Sequence, residues 1–469
     1  MRTRLLMGVL SVLATGCSFT TAAGLEECET SAECGADKVC TQGVCLPLPT
    51  GCGQVYGRAE AGDIALGGLF PIHSGTAAGA PVDESDEQAF NAALLAMEQV
   101  NGRGVNGKQF TLYLCDTGGD DERARIQADW LVKEKKVSAV IAAGSSQSYG
   151  VAQAVTIPNN VLLMSYSASS PELTVLPDTN GGTVGLVWRT SPSDAIQGSV
   201  IAQLLRGTDS RFGNPKKVGI LYVNETYGQG LKDIIATRLN VAPALDNRSI
   251  PYPRRGNVKD AVQELNAYDP DLTVVVGFSD DVTNILVEAA NQPNLKRDSG
   301  HRWFFSDSVK DLGLLANATA SAQAQGVYGT APAQGTGQAF NSFRDAFLSR
   351  FKKDPSAYAY TSNAYDAMYL LTLSASYALN NGGEVTGPKM AEGLTKVSNG
   401  QGALQLTSTN FTPLVAELAA GRSVNVDGAS GKLDFDANGE APAPMELWQV
   451  QGGNFVTIPP TIEPPPNNP

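Results

Sequence analysis

From Asp63 onward the chain alternates short apolar runs with amphipathic stretches, and few folds accept that alternation. The runs at 64–70, 110–115, 139–143, 161–165, 218–223 and 272–277 have strand length, and each is followed by turn residues and then a helical pattern. Strands joined through helices pair in parallel and need both sheet faces covered, so the fold class is α/β. The helix predicted over 87–101 aligns Phe90, Leu94, Met97 and Val100, and that over 338–352 aligns Phe340, Phe343, Phe347 and Phe351. Stripes at this spacing face a core. The series runs to about Thr190, breaks at Ser191-Pro192-Ser193, and restarts with a helix at Asp194 and a strand at 218, which predicts two similar lobes. A length of 469 residues with 42% apolar content suits two or three units.

At the N-terminus Arg2 and Arg4 precede an apolar run over 5–14 and then Thr15-Gly16-Cys17. This is the pattern of a signal peptide. The run is half the ~20 residues that a spanning helix needs. Small residues directly before Cys17 look like the lipobox of bacterial lipoproteins, so 1–16 is expected to be removed and Cys17 acylated, anchoring the protein in the periplasm or at the cell surface. Plain cleavage beyond Ala22 or Ala23 is the alternative.

Cys28, Cys34, Cys40, Cys45 and Cys52 crowd the start, and Cys115 stands apart. In an exported chain these six read as disulfides, because the Cys-x2-Cys pairs typical of zinc sites are missing. The segment 17–58 becomes a lipid-anchored, disulfide-rich appendage. Within it 27–45 would form a two-bridge knob of open connectivity, leaving Cys52 to pair with Cys115. The tail 459–469 is rich in proline and is expected to be extended or disordered.

Several function classes lose their raw material. A net charge of −13 without a Lys/Arg cluster opposes nucleic-acid binding. His73 and His301 are the only histidines, both expected in loops or at the surface, and no nucleophile elbow, Walker loop or dinucleotide fingerprint follows a strand. Catalysis, a metal and a cofactor are therefore not expected.

The motifs GGLFPIHSG (67–75), VNGRGVNGK (100–108), Cys115-Asp116, SASSPELT (167–174), VWRTSPSDAIQG (187–198), NETYGQGLKD (224–233) and NAYDAMYLL (363–371) resemble, in order and spacing, the leucine/isoleucine/valine-binding group of type-1 periplasmic binding proteins that serve ABC transporters. The resemblance covers about 63–458. It implies two Rossmann-like lobes with parallel sheets joined by a three-segment hinge, with 63–190 and 331–422 in lobe one and 191–330 and 423–458 in lobe two. It also implies a monomer that binds an amino-acid-like molecule between its lobes and hands it to a permease and ATPase. A sensing or adhesion lipoprotein of the same fold is the alternative.

Ligands of open α/β sheets bind outside the carboxyl ends of strands. Two such ends carry hydroxyl clusters, at 144–148 and 165–170. Free helix N–H groups and hydroxyls suit a carboxylate there. The resemblance assigns ligand contacts to Ser146 and Ser169, a backbone contact to Ser167, and a closing aromatic to Tyr227. Asp307 falls near the family's acidic position and Phe278 near an aromatic one. Ser145, Ser148 and Ser170 read as helix caps, and Asp280 and Asp281 as helix-start charges. The loop over 77–85 is longer than the family's, and serine replaces threonine at Ser169.

Overall fold

The computed structural model describes residues 26–463 except 30–32, 36–37, 42, 242–243 and 399. The leader 1–16, Cys17 and residues 464–469 lie outside the described residues. The chain forms two units, 1–48 and 49–469.

In the first unit β1 (Lys38–Thr41) and β2 (Val44–Pro47) make an antiparallel hairpin. A segment this short cannot bury enough apolar surface to hold itself. The bridges Cys28–Cys40 and Cys34–Cys45 supply the constraint, and they fix the connectivity that spacing left open.

The second unit opens with β3 (Cys52–Tyr56), β4 (Ile64–Phe70), β5 (Phe110–Asp116), β6 (Ala139–Ala142), β7 (Leu162–Ser165) and β8 (Val187–Arg189). They form one sheet in the order β3-β5-β4-β6-β7-β8, parallel except for β3. Residues 49–58 thus belong to the first lobe and not to the cysteine-rich appendage. The reason is the free edge of β5, which β3 covers in antiparallel register with Cys52 opposite and bonded to Cys115. Helices α1 (Glu84–Asn101), α2 (Asp121–Lys133) and α3 (Ser145–Val151) follow β4, β5 and β6. Every residue of β6 and β7 is buried, as a sheet covered on both faces requires.

The second lobe carries α4 (Asp194–Arg206), α5 (Thr226–Leu239), α6 (Lys259–Tyr268), α7 (Ser279–Ala289), α8 (Leu312–Ala316) and α9 (Ala318–Ala324). Its strands are β9 (Lys217–Val223), β10 (Asp246–Tyr252), β11 (Leu272–Val276), β12 (Arg302–Phe305) and β13 (Tyr328–Pro332). The chain then returns to the first lobe through α10 (Gln338–Phe351), α11 (Thr361–Gly382), α12 (Gly387–Leu394), the short parallel pair β14 (Ala403–Gln405) and β15 (Asn425–Asp427), and α13 (Phe411–Ala419). Met368, Leu371 and the aromatic stripe Phe343 and Phe347 share a core with Phe90, Leu94 and Met97 of α1. Finally β16 (Met445–Gln451) and β17 (Asn454–Ile462) close the second sheet, ordered β10-β9-β11-β12-β13-β16-β17.

Two details depart from the sequence reading. Val424, Val426, Ala429 and Leu433 pack into the first core, so 423–444 stays with lobe one and the chain re-enters lobe two only at Met445. Pro459 and Pro460 are part of β17, the last strand of its sheet, where they fall at the irregularity in its pairing with β16 between Met445 and Leu447.

The backbone therefore passes between lobes three times, after β8, after β13 and before β16. Arg189, at the first pass, is buried and donates to Ser170 O (2.8 Å), Thr174 Oγ1 (2.9 Å) and Glu440 Oε1 (2.5 Å) near the third. Thr190 and Asn363 exchange hydrogen bonds of 3.0 and 2.7 Å.

Replacing both Cys52 and Cys115 by Ala should lower the unfolding free energy of the oxidised protein by about 4 kcal/mol, the loop-closure entropy for a span of this length. Denaturant titration with and without reductant checks it: the variant should be insensitive to the fate of this bridge, and the parent should fall toward it when reduced.

Candidate functional site

The site begins where β6 ends. Gly144 takes φ 64° and ψ 150°, a conformation that a side chain strongly disfavours, and its N–H donates to Ser167 Oγ at 3.0 Å. The chain then turns directly into α3, whose first N–H groups, on Ser145, Ser146 and Gln147, have no acceptor within the helix. Ser145 Oγ accepts from Ser169 N (3.2 Å) and Ser170 N (3.1 Å), and Ser148 Oγ donates to Ser165 Oγ (3.0 Å). These hydroxyls knit the two strand ends together. Ser146 differs: its hydroxyl donates to Glu225 of the other lobe and accepts from Thr226 N at 3.3 Å.

Between the lobes lies a cavity of about 200 Å³. Of the residues expected in the site, Ser146, Ser167, Tyr227 and Phe278 line it. Ser169 and Asp307 do not; both are buried one layer behind. Ser169 Oγ donates to Asp194 Oδ2 at 3.1 Å. Asp307 accepts from Tyr227 OH at 2.6 Å and from Tyr360 OH, so its carboxylate aims two tyrosines of the cavity wall. Burial, reinforced by Asp307, pushes both phenols well above their ordinary pKa, which keeps them neutral donors. Neither histidine lines the cavity; His73 pairs with Asp116, and His301 packs edge-on against Trp303.

Sequence reasoning missed the acidic part of the wall. Asp83, the N-cap of α1, and Asp86 in its first turn face the cavity together with Asp311 and Asp280 of the second lobe. Burial and then Asp311 raise the Asp83 pKa to about 6. Burial and then Asp83 push Asp86 well above the carboxylate range, although Tyr166 OH donates to it at 2.7 Å. The signal was present: Asp83 sits where a helix N-cap belongs, at the end of the long 77–85 loop. Asp280 and Asp281, read as helix-start charges, also grip Arg254 Nη1 at 2.7 Å each, and Arg254 stacks 4.4 Å from the Phe278 ring centre. Burial opposes the charge on Asp280, but Arg254 holds its pKa below the usual value.

The two halves of the wall touch. Ser85 Oγ donates to Asp311, Ser146 Oγ to Glu225, and Arg255 Nη1 to Gly118 O at 2.7 Å. The lobes meet across a cavity lined by aromatic, apolar and acidic side chains, the arrangement of a two-lobed receptor that captures a small molecule.

Comparison with known proteins agrees. Residues 88–453 match the receptor family ligand binding region, and the chain belongs to that family. It is 28% identical over 403 residues, 84% of this chain and 88% of the relative, to the chemotactic signal transduction system substrate-binding protein BasB of Halobacterium salinarum. The leucine binding protein LivK of Thermotoga maritima superposes with a TM-score of 0.67 at 17% identity, covering 86% of this chain and 99% of that one. The branched-chain amino acid substrate binding protein LivJ of Streptococcus pneumoniae, solved with isoleucine, gives 0.64 at 19% over 85% and 100%. The fold is thus that of the type-1 periplasmic binding proteins, and these relatives are binding proteins. No helix among the described residues is long and apolar enough to cross a membrane.

The raised pKa of Asp83 has a measurable sign. Its charged form is disfavoured on folding, so the cost is present above about pH 6 and vanishes below its unfolded pKa near 3.8. Asp86 on its own helix and Asp311 and Asp280 opposite are the charges it faces. Asp83 is also the N-cap of α1, a role Asn fills equally well. Asp83→Asn should therefore stabilise the unliganded protein at pH 7.5 by roughly 1–2 kcal/mol, discounted for partial exposure, and not at pH 4. Thermal unfolding of both proteins across that range reads the difference directly.

Proposed function

We propose that this protein is an extracytoplasmic receptor for an amino acid or a close analogue, anchored through Cys17, that delivers its ligand to an ABC permease and ATPase and carries out no chemistry itself. The observation that supports it best is the cavity between the lobes, with the first turn of α3 opening onto one side and carboxylates and tyrosines onto the other. The free N–H groups of Ser145, Ser146 and Gln147 with the Ser167 hydroxyl form a seat for the carboxylate that needs no buried cation. Tyr227 and Phe278 close the opposite side, and Asp307 and Ser169 hold that geometry from behind. The ligand shifts the protein from open to closed because only the closed state brings both lobes into contact with it.

A second reading is favoured by one finding: the relative that matches 84% of the chain is named for chemotactic signal transduction. The same receptor would then report to a signalling partner. Loss of ligand uptake in cells lacking the protein separates transport from a loss of taxis alone.

Thermal unfolding against the individual amino acids, amides and aromatic acids tests binding. A ligand at 100 times its dissociation constant adds about 2.7 kcal/mol. Ser167→Ala should weaken that ligand more than tenfold, because it removes the one side-chain hydroxyl of the carboxylate seat and a hydrogen bond to a charged group is worth about 1.5–3 kcal/mol. No shift with any of these compounds, after unfolding and refolding to strip carried-over ligand, would rule the reading out.

A further inference from the structure

Among the hydrogen bonds that cross between the lobes, the one from Tyr360 OH to Asp307 stands apart by its depth. Tyr360 packs against the first core, and Asp307 follows β12 of the second lobe. Ser85, Asp311, Ser146 and Glu225 are all partly exposed, so water can replace either partner of the bonds they make. Asp307 is 1% exposed, and no Lys or Arg forms an ion pair with it among the described residues. Its Oδ1 accepts from Tyr227 OH at 2.6 Å; its Oδ2 accepts from Tyr360 OH and, at 3.3 Å, from Ser308 Oγ. Tyr227 and Ser308 belong to the lobe of Asp307 and travel with it, whereas Tyr360 does not. Parting of the lobes admits water to the freed oxygen and their meeting expels it. The Tyr360 hydroxyl therefore matters to the closed arrangement alone, where its loss leaves a buried carboxylate short of a donor.

The backbone of the same residue carries a second, independent mark. Tyr360 has φ 59° and ψ 4° at the N-cap of α11. A bulky side chain in that left-handed region is strained, and such strain persists only where the surroundings enforce it. The Tyr360 carbonyl takes the first bond of α11, from Ala364 N at 2.9 Å. Asn363, in the first turn of that helix, exchanges the hydrogen bonds with Thr190 that hold the first crossing. Tyr360 and its neighbour Ala359 also line both the interlobe cavity and a second cavity of about 10 Å³, whose walls include Gln334 of the second crossing and Glu446 of the third. One residue thus meets the ligand cavity with its ring, the other lobe with its hydroxyl and the hinge with its backbone.

We infer that Tyr360 is the positioning residue of closure, a latch whose hydroxyl on Asp307 holds the lobes together and keeps the start of α11 in the form that fixes the first crossing. The inference adds to the receptor reading a residue that governs the closed state, and the ligand-free protein tests it whatever the ligand proves to be.

Tyr360→Phe deletes one oxygen and keeps the ring. Two further variants separate the latch from other roles. Tyr227→Phe removes a donor to the same carboxylate from within the second lobe, and Tyr358→Phe removes a hydroxyl that bonds Glu84 at 3.0 Å within the first. Small-angle scattering and amide hydrogen exchange of the ligand-free proteins read the outcome. Tyr360→Phe should enlarge the radius of gyration and speed exchange at least fivefold over 187–194 and 306–310, with the buried strands β6 and β7 unchanged. The other two variants should leave the radius at the parent's value. Exchange over 187–194 and 306–310 equal to the parent's would overturn the latch. Faster exchange in β6 and β7 as well would reduce Tyr360 to a structural role and overturn it too, as would an equal opening in Tyr227→Phe. None of these outcomes touches the ligand screen, which decides the receptor reading separately.

Discussion

Two lobes joined by single strands of backbone have no shared sheet to fix their geometry, so the polar contacts at the crossings must do it. Arg189 is the centre of that arrangement. It is buried at the first crossing, bonded to Glu440 beside the third, and bonded to Ser170 O and Thr174 in the loop after β7. That loop is held by Ser145 Oγ at the start of α3. Hinge and ligand seat are therefore one hydrogen-bonded network, in which removing either member of the ion pair strands a buried charge at a cost of about 3–5 kcal/mol. A receptor of this kind needs the coupling, because movement of the lobes has to register in the groups that touch the ligand.

The strands and helices that position the site were legible because their signals are local. The run at 64–70 is β4 to the residue, and the apolar stripe of α1 and the aromatic stripe of α10 do meet in one core. What the sequence concealed was pairing at a distance. Nothing in 49–58 shows that it will cover the edge of β5, and nothing in 423–444 shows that Val424, Val426, Ala429 and Leu433 belong to the first core. Within the site the serine clusters were readable from helix-start chemistry, but their depth was not. Ser146 and Ser169 look alike in the chain; one reaches the cavity and the other is spent on Asp194. Asp83 and Asp86 were hidden for a related reason, since acidic residues at a helix start are usually solvated and only the opposing lobe makes them part of a wall.

That opposing lobe also sets the energetics of closing. Cross-lobe hydrogen bonds, among them those from Ser85, Ser146 and Arg255, favour the closed state whether or not a ligand is present. Closure also brings Asp311 and Asp280 toward Asp83 and Asp86, and the repulsion is visible in the upward shift that the second-lobe acids impose on the first-lobe ones. The two effects oppose each other in the empty protein. A ligand changes the balance only to the extent that it interacts differently with the two states. Neutralising the acidic wall is such a difference, because the carboxylates of the two lobes are brought together only when the lobes are shut. The charges that make the empty cleft costly to close are thus the ones that make closure depend on what fills it.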